Sequence, residues 1–321
     1  MKFTFKRLVS LFFVGILLYC SLAVFTWEEM SMANNSITRE LGSTGIKIRP
    51  IGFGAGQLSI GEYTDESQAI AIINEAMNVY DMIDTADSYC LNSSDTGHNE
   101  RLIAKVFHNH PRKNQVIIAT KGGLIRQDLY NVDFDISPQH LRDAVEGSLP
   151  RLGISSITLY YLHAPDLRPN PKPNSFETAI QTLAELRKEG KIKHVGISNV
   201  TLEQIKVAQN IVPITAVQNS LSFFDRKDLE NGVVEYCQKC GISYVAYSPL
   251  RGRDGHAGIS QDENLLRYAK EQNIDDPYQA ALFWLLQQVP NIIPIPAARK
   301  MENLISSSSV LGIWERFCNN R

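Results

Sequence analysis

The residues of this chain whose types and spacing could do chemistry begin in the stretch DMIDTADSY, residues 81 to 89. An apolar strand pattern ends at Asp84, and a short polar turn then carries the phenol of Tyr89 back towards that carboxylate. A phenol has a pKa of about 10, too high for facile proton exchange at neutral pH, and a nearby ammonium favours the phenolate and so lowers it. Lys121, at the end of another apolar run, would supply that charge, and Asp84 would keep Lys121 protonated and in place through a charge-assisted hydrogen bond. His163, after a third apolar run, would hydrogen-bond a substrate carbonyl and orient it. Together the set suits proton donation to a developing alkoxide. Taken singly, each residue also has a structural explanation. Asp84 suits a turn cap, Tyr89 a half-buried aromatic, Lys121 a solvated strand end beside two glycines, and His163 a satisfied histidine before Pro165.

The elements that must position these residues follow a regular alternation. Two short extended runs, Ile37 to Leu41 and Ile46 to Arg49, are joined by Gly42-Ser43-Thr44-Gly45 and predict a small hairpin. From Ile51 onwards, strand-like runs alternate with amphipathic helical segments, as in a parallel sheet with crossover helices. Strand ends are expected at Gly52-Phe53-Gly54, Ile83-Asp84, Ala119-Thr120-Lys121, Leu162-His163, Ile197-Ser198-Asn199, Val217-Gln218-Asn219, Tyr247-Ser248 and Ile293-Pro294-Ile295. Helices are expected over Ser67 to Val79, Asn99 to Phe107, Pro138 to Leu152, Phe176 to Lys188, Leu202 to Gln209, Asp228 to Cys240, Asn264 to Gln272 and Tyr278 to Gln288. The expected fold is therefore α/β, a (β/α)8 TIM-type barrel with a short N-terminal β-hairpin as a lid. Polar residues at the C-terminal ends of successive strands support it, because that is the face on which such barrels do chemistry. A doubly wound fold would carry a Gly-rich turn opening a helix, whereas Gly52-Phe53-Gly54-Ala55-Gly56 precedes the turn residues Ile60-Gly61.

A net charge of −2 leaves no basic footprint for nucleic acid, so a small-molecule substrate is expected instead. The 5 cysteines are scattered, as in a reduced compartment. Cys237 and Cys240 form a C-x-x-C, but no second pair at zinc-ligand spacing accompanies it, and no metal is expected. The N-terminus points elsewhere. Lys2, Lys6 and Arg7 precede an uncharged apolar run, Leu8 to Phe25, of membrane-spanning or signal-peptide type. Residues 1 to 31 are thus expected to be a signal-like or anchor-like segment, or an upstream extension with translation starting at Met32, and membrane contact is expected only if residues 8 to 25 are retained. The barrel domain is expected over residues 37 to 315. Asn199-Val200-Thr201 is also a glycosylation acceptor pattern, at a strand end where export would endanger the site.

Several further stretches in order resemble the aldo-keto reductase family over about Thr38 to Lys300: RELGSTGIKI (39–48), IGFGAGQL (51–58), IDTADSY (83–89), IATKGG (118–123), YYLHAPD (160–166), VGISN (195–199), VQN (217–219), AYSPL (246–250) and IIPIPAARK (292–300). The resemblance implies reduction of an aldehyde or ketone to an alcohol with NADPH, with Tyr89, Asp84, Lys121 and His163 as the catalytic set, in the cytoplasm. By the same resemblance Ser198, Asn199 and Gln218 would hydrogen-bond the nicotinamide amide, and Tyr247 would stack on its ring. Ser248, Leu250 and Gly252 would cradle the pyrophosphate, and Arg299 and Lys300 would meet the adenosine phosphate, favouring NADPH over NADH. Three departures stand out. Ala55-Gly56 replaces a frequent Thr-Trp, which widens the expected pocket; Ser306-Ser307-Ser308-Ser309 stands where a Glu-Asn pair for the adenine is expected; and the chain ends at Arg321 without a long tail. Two alternatives stay open: a cofactor-binding accessory subunit with little turnover, or an alcohol or sugar dehydrogenase using NAD.

Overall fold

The structure is a computed structural model and describes residues 37–170, 172 and 175–320. The apolar segment from Leu8 to Phe25 lies outside the described residues, as does part of the proline-containing stretch 168–173. The expected hairpin forms from β1 (Arg39–Glu40) and β2 (Lys47–Ile48), antiparallel, with Leu41 N–H donating to Ile46 O at 2.8 Å.

Eight parallel strands follow: β3 (Phe53–Gly54), β4 (Met82–Asp84), β5 (Ile117–Gly122), β8 (Ile157–Leu162), β9 (Ile192–Ser198), β10 (Ile214–Ser220), β11 (Ser243–Tyr247) and β12 (Ile292–Pro294). Between β5 and β8 lies a second hairpin, β6 (Leu124–Arg126) and β7 (Val132–Phe134). Each parallel strand pairs with the next, and the first and last meet through Gly52 N–H to Pro294 O and Gly54 N–H to Pro296 O, both 3.0 Å, which closes the ring. The interior is filled by Met82, Ile117, Ala119, Leu159, Tyr161, Ala216, Val245 and Ile293, so the barrel is a packed core rather than a pore.

The hairpin closes the end of the barrel opposite the predicted chemistry, not the mouth. Arg39 donates to Ile292 O and to Leu286 O (2.6 Å), and Gly42 N–H donates to Ser243 Oγ (2.7 Å), at the N-terminal starts of β12 and β11. The hairpin is therefore a floor, and the expectation of a lid is corrected.

Several helices start where a side chain satisfies a first-turn N–H group. In α1 (Glu66–Val79) Asp65 accepts from Gln68 N–H; then come α2 (His98–Phe107) and α3 (Pro138–Leu152), the latter capped by Ser137 with proline in its first turn. After α4 (Ser175–Lys188), a reciprocal capping box between Thr201 and Gln204 opens α5 (Leu202–Gln209). The single helix expected over Asp228 to Cys240 is two, α6 (Lys227–Glu230) and α7 (Val233–Lys239), separated at Gly232 with φ of 86°. A short α8 (Gly252–Gly255), α9 (Glu263–Glu271) and α10 (Pro277–Gln288) precede β12.

The C-terminal segment beyond Lys300 forms a further helix, α11 (Met301–Asn319), not anticipated from sequence. It buries Leu304, Ser307, Val310 and Trp314. Those spacings were a legible helical period, masked by the serine run. Among the described residues, no helix is long and apolar enough to cross a membrane.

Candidate active site

The turn after β4 is stitched to β5, with Thr85 N–H donating to Ala119 O (2.8 Å) and Asp87 N–H to Lys121 O (3.2 Å). This brings Asp84, Tyr89 and Lys121 together. Lys121 is fully buried, and its ammonium donates to Asp84 Oδ1, to Thr85 O at 2.9 Å and to Tyr89 Oη at 3.0 Å. All three ammonium protons are thereby used, which fixes Nζ in direction as well as position. His163 lies one residue beyond β8, its N–H bonded to Gly122 O at 2.9 Å. Its ring stands edge-on to Tyr89, with centroids 5.7 Å apart, and its Nδ1 lies 3.3 Å from Ser88 Oγ.

Burial, rather than the neighbouring ammonium, dominates the phenol. The pKa of Tyr89 is raised, first by burial, against which Lys121 pulls down and Asp84 pushes up. The ammonium acts in the expected direction, but burial outweighs it, so the Tyr89 phenol stays above its ordinary value and keeps its proton at neutral pH. Burial pulls the Lys121 ammonium down, but Asp84 and Tyr89 outweigh it and hold Lys121 charged. His163 is pushed well below the ordinary imidazole range, first by burial and then by the charges of Lys121 and Arg126. It is therefore neutral, and Nε2 is left for the cleft. We expect an NMR titration of His163 to show no protonation step near pH 6.5. Because its folded pKa is depressed, stability from this residue is present above about pH 6.5 and lost as pH falls below it.

Asp84, Tyr89 and His163 face a cleft of about 580 Å³ at the C-terminal end of the barrel. Every residue expected to hold the cofactor lines the same cleft: Ser198, Asn199, Gln218, Tyr247, Ser248, Leu250, Gly252, Arg299 and Lys300. Ser198 Oγ donates to Gln218 O at 2.6 Å. The Gln218 amide donates to Asp84 Oδ2 at 2.8 Å, so this side chain also orients the carboxylate. Asn199, at φ of 58°, donates to His163 O (3.0 Å) and accepts from Tyr247 O–H (2.8 Å), leaving its amide nitrogen engaged in the site. Ser248 and Gly252 also have positive φ, 50° and 61°, which bends the chain after β11 around the cleft wall.

Arg299 is held by Thr64 Oγ1 (3.2 Å) and Glu62 Oε1 (2.8 Å), while Lys300 stands 3.6 Å from Glu302. Gly56 does more than widen the pocket, because a Cβ there would come within 3.1 Å of the Tyr89 ring. The serine run is not at the cleft. Ser306 Oγ donates to Asp276, and Ser308 and Ser309 donate to Ile305 O within their own helix. Asn303, in the first turn of α11, lines the cleft instead, and the Glu302-Asn303 pair just after Lys300 was the signal for it. Gln57, Ile60 and His256 also line the cleft; Gln57 falls in the family-like stretch 51–58 and Ile60 in the turn after it, but neither pattern assigns them a place in the site. Among the described residues, no group of three or more His, Cys, Asp or Glu could hold a metal ion.

Comparison with known proteins agrees with this architecture. The sequence profile of the Aldo/keto reductase family matches residues 50–313. A probable aldo-keto reductase 1 of Glycine max is 32% identical over 303 residues, covering 85% of this chain and 84% of that protein. An uncharacterised oxidoreductase of Schizosaccharomyces pombe is 33% identical over 273 residues, covering 83% of this chain and 82% of its own length. Among solved structures, a thermostable aldo-keto reductase, Tm1743, superposes with a TM-score of 0.69 at 26% identity, covering 88% of this chain and 98% of that one. The holo form of an aldo-keto reductase from Bacillus halodurans has the same TM-score at 25% identity, covering 88% and 95%. With a closed eight-stranded barrel and a profile match over most of its length, this chain belongs to the aldo/keto reductase family and is an NAD(P)H-dependent oxidoreductase.

Proposed function

We propose that the protein reduces an aldehyde or ketone of a small molecule to the alcohol, with NADPH as the hydride source. The observation that carries this is the contact of one buried ammonium, Lys121, with both Asp84 and the Tyr89 oxygen, in the cleft that His163 faces. The cleft residues fit the cofactor: polar groups from Ser198, Asn199 and Gln218, an aromatic wall at Tyr247, and the cationic groups of Arg299 and Lys300. When bound, reduced nicotinamide supplies the hydride. Tyr89 gives its proton to the carbonyl oxygen as that oxygen gains charge, and the ammonium of Lys121 stabilises the phenolate left behind. His163, neutral and steadied at Nδ1 by Ser88, offers Nε2 to the same oxygen and orients it.

Asp84 keeps Lys121 charged, and Gln218 keeps Asp84 from turning away. A need for reduced nicotinamide, whose main pool is cytosolic, supports a cytoplasmic site of action. The test is NADPH consumption by a chain starting at Met32 with a panel of aldehydes and ketones. Tight nucleotide binding without turnover would favour an accessory subunit, and equal affinity for NADH and NADPH would favour a dehydrogenase.

Arg299 supports the choice of NADPH. Its guanidinium already gives Nη1 to Glu62 and Nε to Thr64, but Nη2 keeps donors for a phosphate. We expect Arg299→Ala to weaken NADPH binding by about 10- to 100-fold, as for loss of a charge-assisted hydrogen bond, and NADH binding by far less. Fluorescence titration with both nucleotides checks this; equal losses would sink the assignment.

A further inference from the structure

The catalytic loop carries a buried carboxyl that the chemistry above does not use. Asp87 lies between Asp84 and Tyr89 and is only 3% exposed. Its backbone ties two parts of the site together, since its N–H donates to Lys121 O (3.2 Å) and its C=O accepts from Gly97 N–H (2.6 Å), at the start of α2. Its side chain points into a closed polar cluster behind the loop. There Glu100 of α2, fully buried, accepts from Thr120 Oγ1 (2.7 Å) and from Arg151 Nε (2.6 Å) of α3. Arg151 reaches it by threading past two glycines: a Cβ at Gly97 would sit 2.1 Å from Arg151 Nε, and one at Gly147 would sit 2.5 Å from its Nη1. Tyr160 of β8 completes the cluster. A Cβ at Gly122 would lie 2.1 Å from Tyr160 Oη and 3.3 Å from Asp87 Oδ2, so the two side chains converge on that glycine.

The charges in this cluster do not balance if every carboxyl is ionised. Asp87 and Glu100 face one guanidinium, and Glu100 already occupies it. Among the described residues, Asp87 Oδ1 and Tyr160 Oη are both buried without a hydrogen-bond partner. A carboxylate in that position would have the Ser88 N–H but no donor at Oδ1, too little for a buried charge, whereas a neutral acid has a proton of its own to give.

The geometry points to Asp87 as a positioning residue that acts as a neutral carboxylic acid, holding the Tyr89 loop in register with Lys121 and releasing that register when it ionises. This rests on the proposed reduction only for its activity readout. Burial pushes Asp87 up to about 8 and Glu100 pushes the same way, against which Arg151, the Ser88 backbone N–H and Lys121 pull down. The other groups facing it titrate elsewhere: Cys90, in its own loop, is pushed up to about 11, and the Tyr160 phenol stands well above its usual value. Tyr89 itself is raised above its ordinary value of 10. An alkaline transition near pH 8 therefore reports Asp87 rather than the proton donor.

The experiment measures kcat from pH 6 to 10 and the melting temperature from pH 5 to 9, for the wild type, Asp87→Asn and Glu100→Gln. In the wild type kcat is expected to fall roughly tenfold between pH 7 and 9, and in Asp87→Asn less than about threefold over the same interval. Glu100→Gln removes the like charge, lowers the pKa of Asp87 and moves the fall to lower pH, opposite to the aspartate variant. The melting temperature gives an arm independent of activity. A carboxyl whose folded pKa is raised loses its stabilising contribution as pH rises from its unfolded value towards the folded one. The melting temperature of Asp87→Asn minus that of the wild type should therefore grow from pH 5 to 8 and then level off. The same alkaline limb in all three proteins, or a melting difference flat in pH, would overturn the proposal. Absence of carbonyl reduction at any pH would instead overturn the proposed function, and the melting arm would still decide the role of Asp87.

Discussion

Tyr89→Phe is expected to lower kcat for carbonyl reduction by about 10²- to 10⁴-fold, the range that a positioned proton donor contributes. The substitution removes one oxygen and keeps the ring, so contacts of the aromatic face with His163 and Gly56 persist. Lys121 loses one of its three acceptors but keeps Asp84 and Thr85 O, which hold the loop in place. Nucleotide binding should therefore change by less than about threefold, since the cleft walls further along are untouched. Stopped-flow turnover and nucleotide fluorescence, measured on one preparation, separate the two effects. Full turnover in the phenylalanine variant would mean that some other group, or water, delivers the proton. Because burial raises the Tyr89 phenol, its own loss of the donor proton belongs to the strongly alkaline range.

Lys121→Met carries the second large effect, on stability as well as rate. Lys121 and Asp84 are 0% and 2% exposed, so the substitution strands a carboxylate in a dry site. Removing one partner of a buried ion pair costs about 3–5 kcal/mol, a large part of the roughly 5–15 kcal/mol that holds a typical domain folded. Gln218 remains as a donor to Asp84, but one neutral amide does not replace an ammonium. Asp84 is already raised by burial in spite of Lys121, and without the lysine it rises further. The folded variant then holds a proton that the unfolded chain releases, so its stability falls as pH rises above the ordinary carboxylate range of about 4. Urea unfolding at pH 5 and pH 7 should show the larger deficit at pH 7. Adding Asp84→Asn should recover part of that deficit at pH 7, because the stranded charge is gone. A deficit below about 1 kcal/mol, the worth of an exposed pair, would mean that water reaches the site.

Much of the barrel was legible because strand and helix announce themselves by period. Each apolar run that stops at a polar residue, such as the one ending at Asp84 or at Lys121, marks a parallel strand leaving the core at the catalytic face. The hairpin β6–β7 was not legible. Its strands are three residues each and half-exposed on both faces, so no alternation separates them from a loop. The break at Gly232 was missed because the flanking segments, read together, keep a helical period. The serine run carries no apolar period of its own and stays off the cleft, whereas Asn303 in the first turn of the same helix reaches it.

By itself, the sequence determined the strand order of a (β/α)8 barrel, the identity of the residues at its C-terminal strand ends, and the family to which they point. These depend on residue type, spacing and order along the chain. Only the tertiary structure decided how those residues behave. Lys121 does not lower the Tyr89 phenol below its usual value, because the same fold that brings the ammonium to 3.0 Å also buries the oxygen. Gln218 holds Asp84 from 134 residues away, Glu62 holds Arg299 from another loop, and the charge of Glu100 acts on Asp87 behind the turn. Protonation states and such long-range partners are set by desolvation and by three-dimensional proximity, and neither is written in the local pattern of a chain.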